Sequence, residues 1–252
     1  MRPRRCSPLA QLRLWFCAIF IVLVYSEYGF KNITNDCLPS IFSDMQSPMD
    51  WGEFRGEKEE MLPRNNKPLN ILVLYPDDMR HDSMSSAGTQ IVQTPFLDHL
   101  SKLGKRFTHN CVTTSICWIS RATLFTEQYL SRHGSDDPSR FPFCNDENWN
   151  MTWPYLLQKA GYYVGHIGKW QFSNTGFVGE AFNWSRVFQY KHWHNINGTL
   201  IHTTDYTEQT TIEFLRERPK DIPFAATVAF YPPKGIGGKR YFNPKPESKH
   251  FT

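Results

Sequence analysis

From Asn70 onward the chain alternates between continuous apolar runs of strand length and apolar positions spaced three and four residues apart. The run Ile71-Leu72-Val73-Leu74-Tyr75, bounded by Pro68 and Pro76, predicts a strand buried on both faces of a parallel sheet, since such a strand has no solvent side for polar residues to mark. Thr94-Pro95 then supplies a cap and a first-turn proline, Phe96, Leu97, Leu100 and Leu103 follow at helical spacing, and Gly104 ends the helix. The rhythm repeats at Thr152-Trp153-Pro154 with Leu156, Leu157 and Ala160, closed by Gly161, and Tyr162-Tyr163-Val164 begins a second strand. A helix from about Thr207 to Arg218 leads into the apolar run Phe224 to Phe230. Strands alternating with amphipathic helices predict an α/β fold with a mainly parallel central sheet flanked by helices.

The first 67 residues follow neither rhythm. Arg2, Arg4, Arg5 and Arg13 precede an unbroken apolar run from Leu14 to Tyr25, about a dozen residues, too short for the roughly 17–25 of a bilayer span. Residues 1–26 therefore read as a secretory signal peptide, with Val24 and Ser26 before a cleavage point and an uncleaved anchor as the alternative; no stable membrane span is expected. Residues 27–67 form a polar leader, and 68–252 the domain. Four glycosylation sequons, at Asn32, Asn150, Asn183 and Asn197, agree with a secretory-pathway location, whether secreted or in the lysosomal or endoplasmic reticulum lumen.

Composition narrows the class. With 28 Lys+Arg against 24 Asp+Glu the net charge is 28 − 24 = +4, too mild to imply nucleic-acid binding. Hydrophobic residues at 40% and charged ones at 21% are globular values, not those of a disordered chain.

Reactive residues cluster after the strands. In open α/β sheets ligands bind past the carboxyl ends of the strands, and there Asp77 and Asp78 follow the first one. Adjacent carboxylates repel unless a cation neutralises them, so they are either a hard-metal site or an Asp-rich turn. Cys117 opens a helical segment with Arg121 four residues on, which suits either an activated nucleophile or a disulfide cysteine. His192, His194 and His202 could suggest zinc, but Trp193, Asn195 and Asn197 between them read as a glycosylated loop. His133 and His166 read as packing or supporting residues, and the glycine-rich stretch from Lys234 to Arg240 lacks the Ser/Thr and following helix of a phosphate loop.

Four segments, Asn70 to Asp78, Thr94-Pro-Phe-Leu-Asp98, Cys117-Trp-Ile-Ser-Arg121 with Thr126, and Gly161 to Trp170, stand in the order and approximate spacing of the type I sulfatases, which the chain resembles from about residue 69 to 233. The resemblance implies an alkaline-phosphatase-like fold and hydrolysis of sulfate monoesters, on a sulfated carbohydrate or an aryl sulfate. It implies that Cys117 is oxidised to formylglycine by a luminal formylglycine-generating enzyme, and that one hydroxyl of the aldehyde hydrate attacks sulfur while the other later expels sulfate. Asp77 and Asp78 match ligands of one Ca2+ ion, Arg121 the arginine beside the aldehyde, and Lys169 a lysine that binds nucleophile and sulfate. Reserving Cys117 in this way leaves Cys37, Cys111 and Cys144 in the chain beyond the signal, an odd number with one thiol unpaired or paired elsewhere.

The chain also departs from the family pattern. Ile119 stands where Pro or Ala is usual, Glu127 where Gly follows the threonine, and Gln171 where many members have a histidine. Lys234 replaces the histidine expected after Pro233, and a lysine there would bind sulfate more readily than protonate a leaving alcohol. No stretch after Phe230 matches the family's later metal ligands and second sulfate-binding lysine, so the domain is expected to be its N-terminal portion, truncated on the C-terminal side. Alternatives are a catalytically inactive glycan-binding or decoy protein and a phosphoryl-transfer relative on the same fold.

Overall fold

In the computed structural model, residues 21–25, 68–137, 144, 146–172, 175–188 and 190–235 are described. The predicted strands pair into a five-stranded sheet of mainly parallel character. β1 is Ile21–Tyr25, β2 Asn70–Asp77, β3 Tyr163–Gly168, β4 Trp184–Val187 and β7 Phe224–Pro233, and they lie in the order β1-β2-β7-β3-β4. β2, β3, β4 and β7 run parallel, while β1 closes the β2 edge antiparallel, with Leu23 opposite Leu72. Five residues of the apolar run read as the signal core are thus used as an edge strand. β5 Trp193–Ile196 and β6 Thr199–His202 form a separate antiparallel hairpin. This corrects the loop part of the reading of 192–202. Its alternating Trp193, His194, Asn195 and Ile196 run into Asn197-Gly198, whose positive φ values of 51° and 84° are the signature of a tight hairpin turn.

β7 is the centre of the sheet and its composition explains why. Ala225, Ala226 and Ala229 are completely buried or nearly so, and small side chains let both neighbouring strands and the helices above and below approach. Successive strand residues point to opposite faces, and the two hydrophobic clusters divide accordingly. Val164 and Ala225 meet Ala122 and Phe125 of α2 (Cys117–Thr126), together with Trp149, Trp170, Phe172 and Phe182. On the other face Ile167, Ala226 and Val228 pack against Phe214 of the long helix Thr203–Glu217. Gly165 is required there, because a Cβ on it would stand 2.5 Å from the Phe214 ring.

Two asparagines tie neighbouring strands at their ends. Asn70 accepts a hydrogen bond from the Phe224 amide at 3.0 Å and Asn183 one from the Val164 amide at 2.8 Å. The helix predicted after Thr94 forms as α1, Pro95–Leu103, with Ser86 donating its amide to Asp98 at 2.7 Å. Its apolar face, expected to be buried, contributes no buried residue: Leu103 is 67% exposed.

Because β2, β3 and β7 are parallel, their carboxyl ends fall on one edge, delivering Asp77-Asp78, Lys169 and Lys234 to the same place. Pro76 has no amide proton, and the β2–β7 register shifts between Tyr75 and Asp77, so that Asp77 sits opposite Pro233.

Candidate active site

Six side chains converge at these strand ends around a cavity lined by Asp77, Asp78, Cys117 and Arg121. Cys117 is the first residue of α2. Its Sγ lies 3.1 Å from Nζ of Lys234, and the same ammonium donates to Oδ2 of Asp78 at 2.9 Å. Asp78 is held in a left-handed conformation, φ 59°, directly beyond β2. Lys169 is buried at 1% exposure; its ammonium pairs with Asp77 and stands 4.9 Å above the Tyr231 ring.

Arg121 comes from one turn along α2. Its Nη1 donates to the Lys169 carbonyl at 2.9 Å and its guanidinium stacks 4.9 Å over Tyr75. Arg121 is 2% exposed, yet its Nε and Nη2 have no hydrogen-bond partner among the described residues. A buried guanidinium with two unanswered donors is costly unless an anion completes it. Of the charged groups gathered here, Asp77, Asp78 and Arg121 line the cavity itself, and each carboxylate is paired with a lysine, Asp77 with Lys169 and Asp78 with Lys234, so that Arg121 is the cation left without a carboxylate partner among the described residues.

Burial pushes the Lys169 ammonium towards neutrality, and the carboxylate of Asp77 works against that shift without cancelling it. For Lys234 burial also opposes the charge, but the hydrogen bond to Asp78 and the fields of Asp77 and Cys117 outweigh it and hold its pKa above the ordinary lysine value. Beneath the site His166 is completely enclosed, with its ring 5.1 Å from Trp170 and 5.4 Å from Phe182. Burial, reinforced by the charge of Arg121, lowers its pKa to about 3, so it is a neutral packing residue.

Asp77, Asp78, Cys117, Arg121, Lys169 and Lys234, all singled out in the sequence, are therefore brought together. Among the described residues Asp77, Asp78 and Cys117 are the one group of three whose ligand atoms lie within 4.8 Å of one another; the histidines of the β5–β6 hairpin form no such group. The two carboxylates suit a hard cation such as calcium, the thiol does not, and two residues fall short of the roughly 6–8 oxygens calcium takes. Cys111, Cys117 and Cys144 are free thiols, and burial pushes that of Cys144 up to about 12.

Three contributors were not visible in the sequence. Tyr75, an apolar-run residue by pattern, shares a 2.5 Å hydrogen bond with Ser120. Tyr231 lies under Lys169. His192 donates from Nε2 to the Lys234 carbonyl at 2.8 Å across 42 residues.

The sulfatase family model matches residues 69–248. The chain belongs to the sulfatase family. An N-acetylglucosamine-6-O-sulfatase of Bacteroides thetaiotaomicron is 28% identical over 177 residues, covering 67% of the chain and 30% of that protein. Arylsulfatase A of Bos taurus is 36% identical over 108 residues, 41% of the chain and 21% of its own length. A solved structure in complex with its substrate D-glucosamine-2-N,6-O-disulfate superposes with a TM-score of 0.55 at 29% identity, covering 66% of the chain and 34% of the other. The sulfatase chain thus has the alkaline-phosphatase-like fold expected of it, and spans about a third or less of the length of these relatives.

Proposed function

We propose that this sulfatase chain carries the nucleophile side of a site that hydrolyses sulfate monoesters. The observation that carries the reading is Arg121, buried one turn from Cys117 at the cavity both line, with its Nε and Nη2 donors unpartnered among the described residues. A sulfate monoester is a monoanion with three outer oxygens, and it suits such donors. Formylglycine at Cys117, if the residue is converted, would supply the hydroxyl nucleophile, and calcium on Asp77 and Asp78 would polarise the sulfate oxygens.

The chain's own residues have separable tasks. Arg121 is fixed by the Lys169 carbonyl and the Tyr75 ring, so it presents its remaining donors without reorganising. Lys169 keeps Asp77 neutralised in a dry setting. Lys234, whose pKa is raised, stays charged and serves as a fixed cation for sulfate rather than as the acid that protonates the leaving alcohol. Leaving-group protonation then falls to solvent, which favours esters of acidic alcohols, and aryl sulfates are such esters.

Mass spectrometry of the tryptic peptide Phe107–Arg121 from luminally expressed protein tests the first step. Formylglycine at Cys117 is expected; an intact thiol alone ends the catalytic reading. Aryl sulfate turnover, lost with chelator and exceeding that of the matching aryl phosphate, is the second requirement. A non-catalytic, sulfate-binding role is the second reading, favoured by the contact of Lys234 with the Cys117 sulfur.

A secretory location is part of the same proposal. Asn150, Asn183 and Asn197 are exposed at the surface, while Asn32 lies outside the described residues. Among the described residues no helix is long and apolar enough to cross a membrane.

A further inference from the structure

Lys234 follows the last residue of β7, where strand pairing has ended. Its backbone is held from two sides: its amide donates to the Tyr231 carbonyl at 3.2 Å, and its carbonyl accepts from Nε2 of His192 at 2.8 Å. A carbonyl can only accept, so Nε2 carries the proton. His192 is itself immobilised at 1% exposure. Its own carbonyl accepts from the Thr203 amide at 2.7 Å, and its ring meets the Tyr231 ring edge-on at 5.5 Å. The base of the β5–β6 hairpin thereby grips the segment that carries Lys234, and touches the ring on which Lys169 rests.

We infer that His192 is a positioning residue that sets the reach of Lys234 to Asp78 and Cys117. The inference rests on the sulfatase reading for its catalytic meaning, but not for its geometry. Without the His192 bond, the described hydrogen bonds that hold the backbone of Lys234 and Gly235 all involve Tyr231 of the same segment, from the Lys234 amide to its carbonyl at 3.2 Å and from its hydroxyl to the Gly235 carbonyl at 3.4 Å, and none ties it to the hairpin. The ammonium, 27% exposed and partnered by a carboxylate at the mouth, is then free to leave for water. Glutamine can place an amide nitrogen close to the position of the imidazole Nε2, whereas alanine cannot.

The test labels lysines of the full chain with an amine-reactive N-hydroxysuccinimide ester and reads each site by peptide mapping, in wild type, His192→Ala and His192→Gln. Labelling of Lys234 is expected to rise several-fold in His192→Ala, to return close to wild type in His192→Gln, and to leave buried Lys169 unchanged. No rise at Lys234, or an equal rise at Lys169 that marks general loosening, overturns the inference. In turnover, His192→Ala is expected to lower kcat/KM by up to roughly a hundredfold, and adding Lys234→Ala to it should cost little more. Additive losses overturn it. If no variant, wild type included, turns over sulfate esters, the catalytic reading fails while the labelling still decides the role of His192.

Discussion

A buried ammonium is tolerated only where an anion answers it, and Lys169 has Asp77. The pair explains why both residues sit in a hydrophobic neighbourhood without unfolding it, and also why neither can be removed alone. Lys169→Met is expected to destabilise the fold by about 3–5 kcal/mol, because Asp77 is left charged and unpaired at 6% exposure. Asp77→Asn on top of it should recover most of that loss. Urea unfolding of the two single variants and the double variant measures the coupling; a double variant as unstable as the sum of the singles would show that the ion pair carries no structural weight. The rescued double variant should not regain turnover, since the same atoms face the anion site.

Helix and strand ends hold the functional groups here, and they are also where the backbone is least comfortable. α2 ends on Glu127 with φ 57°, a conformation glycine adopts freely and other residues do not. Glu127→Gly is therefore expected to raise the unfolding free energy by about 1 kcal/mol. Gly168 is the opposite case, with φ +89° and a Cβ that would fall 2.3 Å from the Ala229 carbonyl oxygen. Gly168→Ala should lower stability well beyond that and displace Lys169; thermal melts of both variants check the pair.

The same elements show what the sequence could and could not reveal. The buried strands were legible because continuous apolar runs between prolines have few other meanings. The helix predicted from Thr207 in fact begins at Thr203, since its cap is His202, which accepts from the Thr204 amide and is no usual capping residue. The hairpin was missed because its polar strands bury only its base, although Asn197-Gly198 was a turn signal in plain view. Site residues were legible where reactive or charged side chains follow a strand or open a helix, as Asp77, Asp78 and Cys117 do. Tyr75, Tyr231 and His192 were not, because their roles depend on contacts between segments far apart in the chain.

At the scale of the whole molecule, one sheet edge is built by parallel topology and one aromatic mass supports it from below. His166 lies in that mass as a neutral ring with a folded pKa of about 3 against an ordinary 6.5. Its unfolded form takes up a proton that the folded form refuses. The contribution of His166 to stability is therefore complete above about pH 6.5 and is lost as the pH falls from there towards 3, with a slope of at most about 1.4 kcal/mol per pH unit. His166→Leu should remove that part of the acid sensitivity; equal acid curves for variant and wild type would refute the assignment. The rings around it offer the means of following this. Trp149 and Trp170 lie 6.2 Å apart at 66°, and Trp170 is bonded to Lys169. Two indoles held so close share their electronic excitation, and the optical activity that results depends on their angle. The molecule thus carries its own chromophore for site geometry: a circular dichroism band that fades when the rings loosen, even while the helices still absorb as helices.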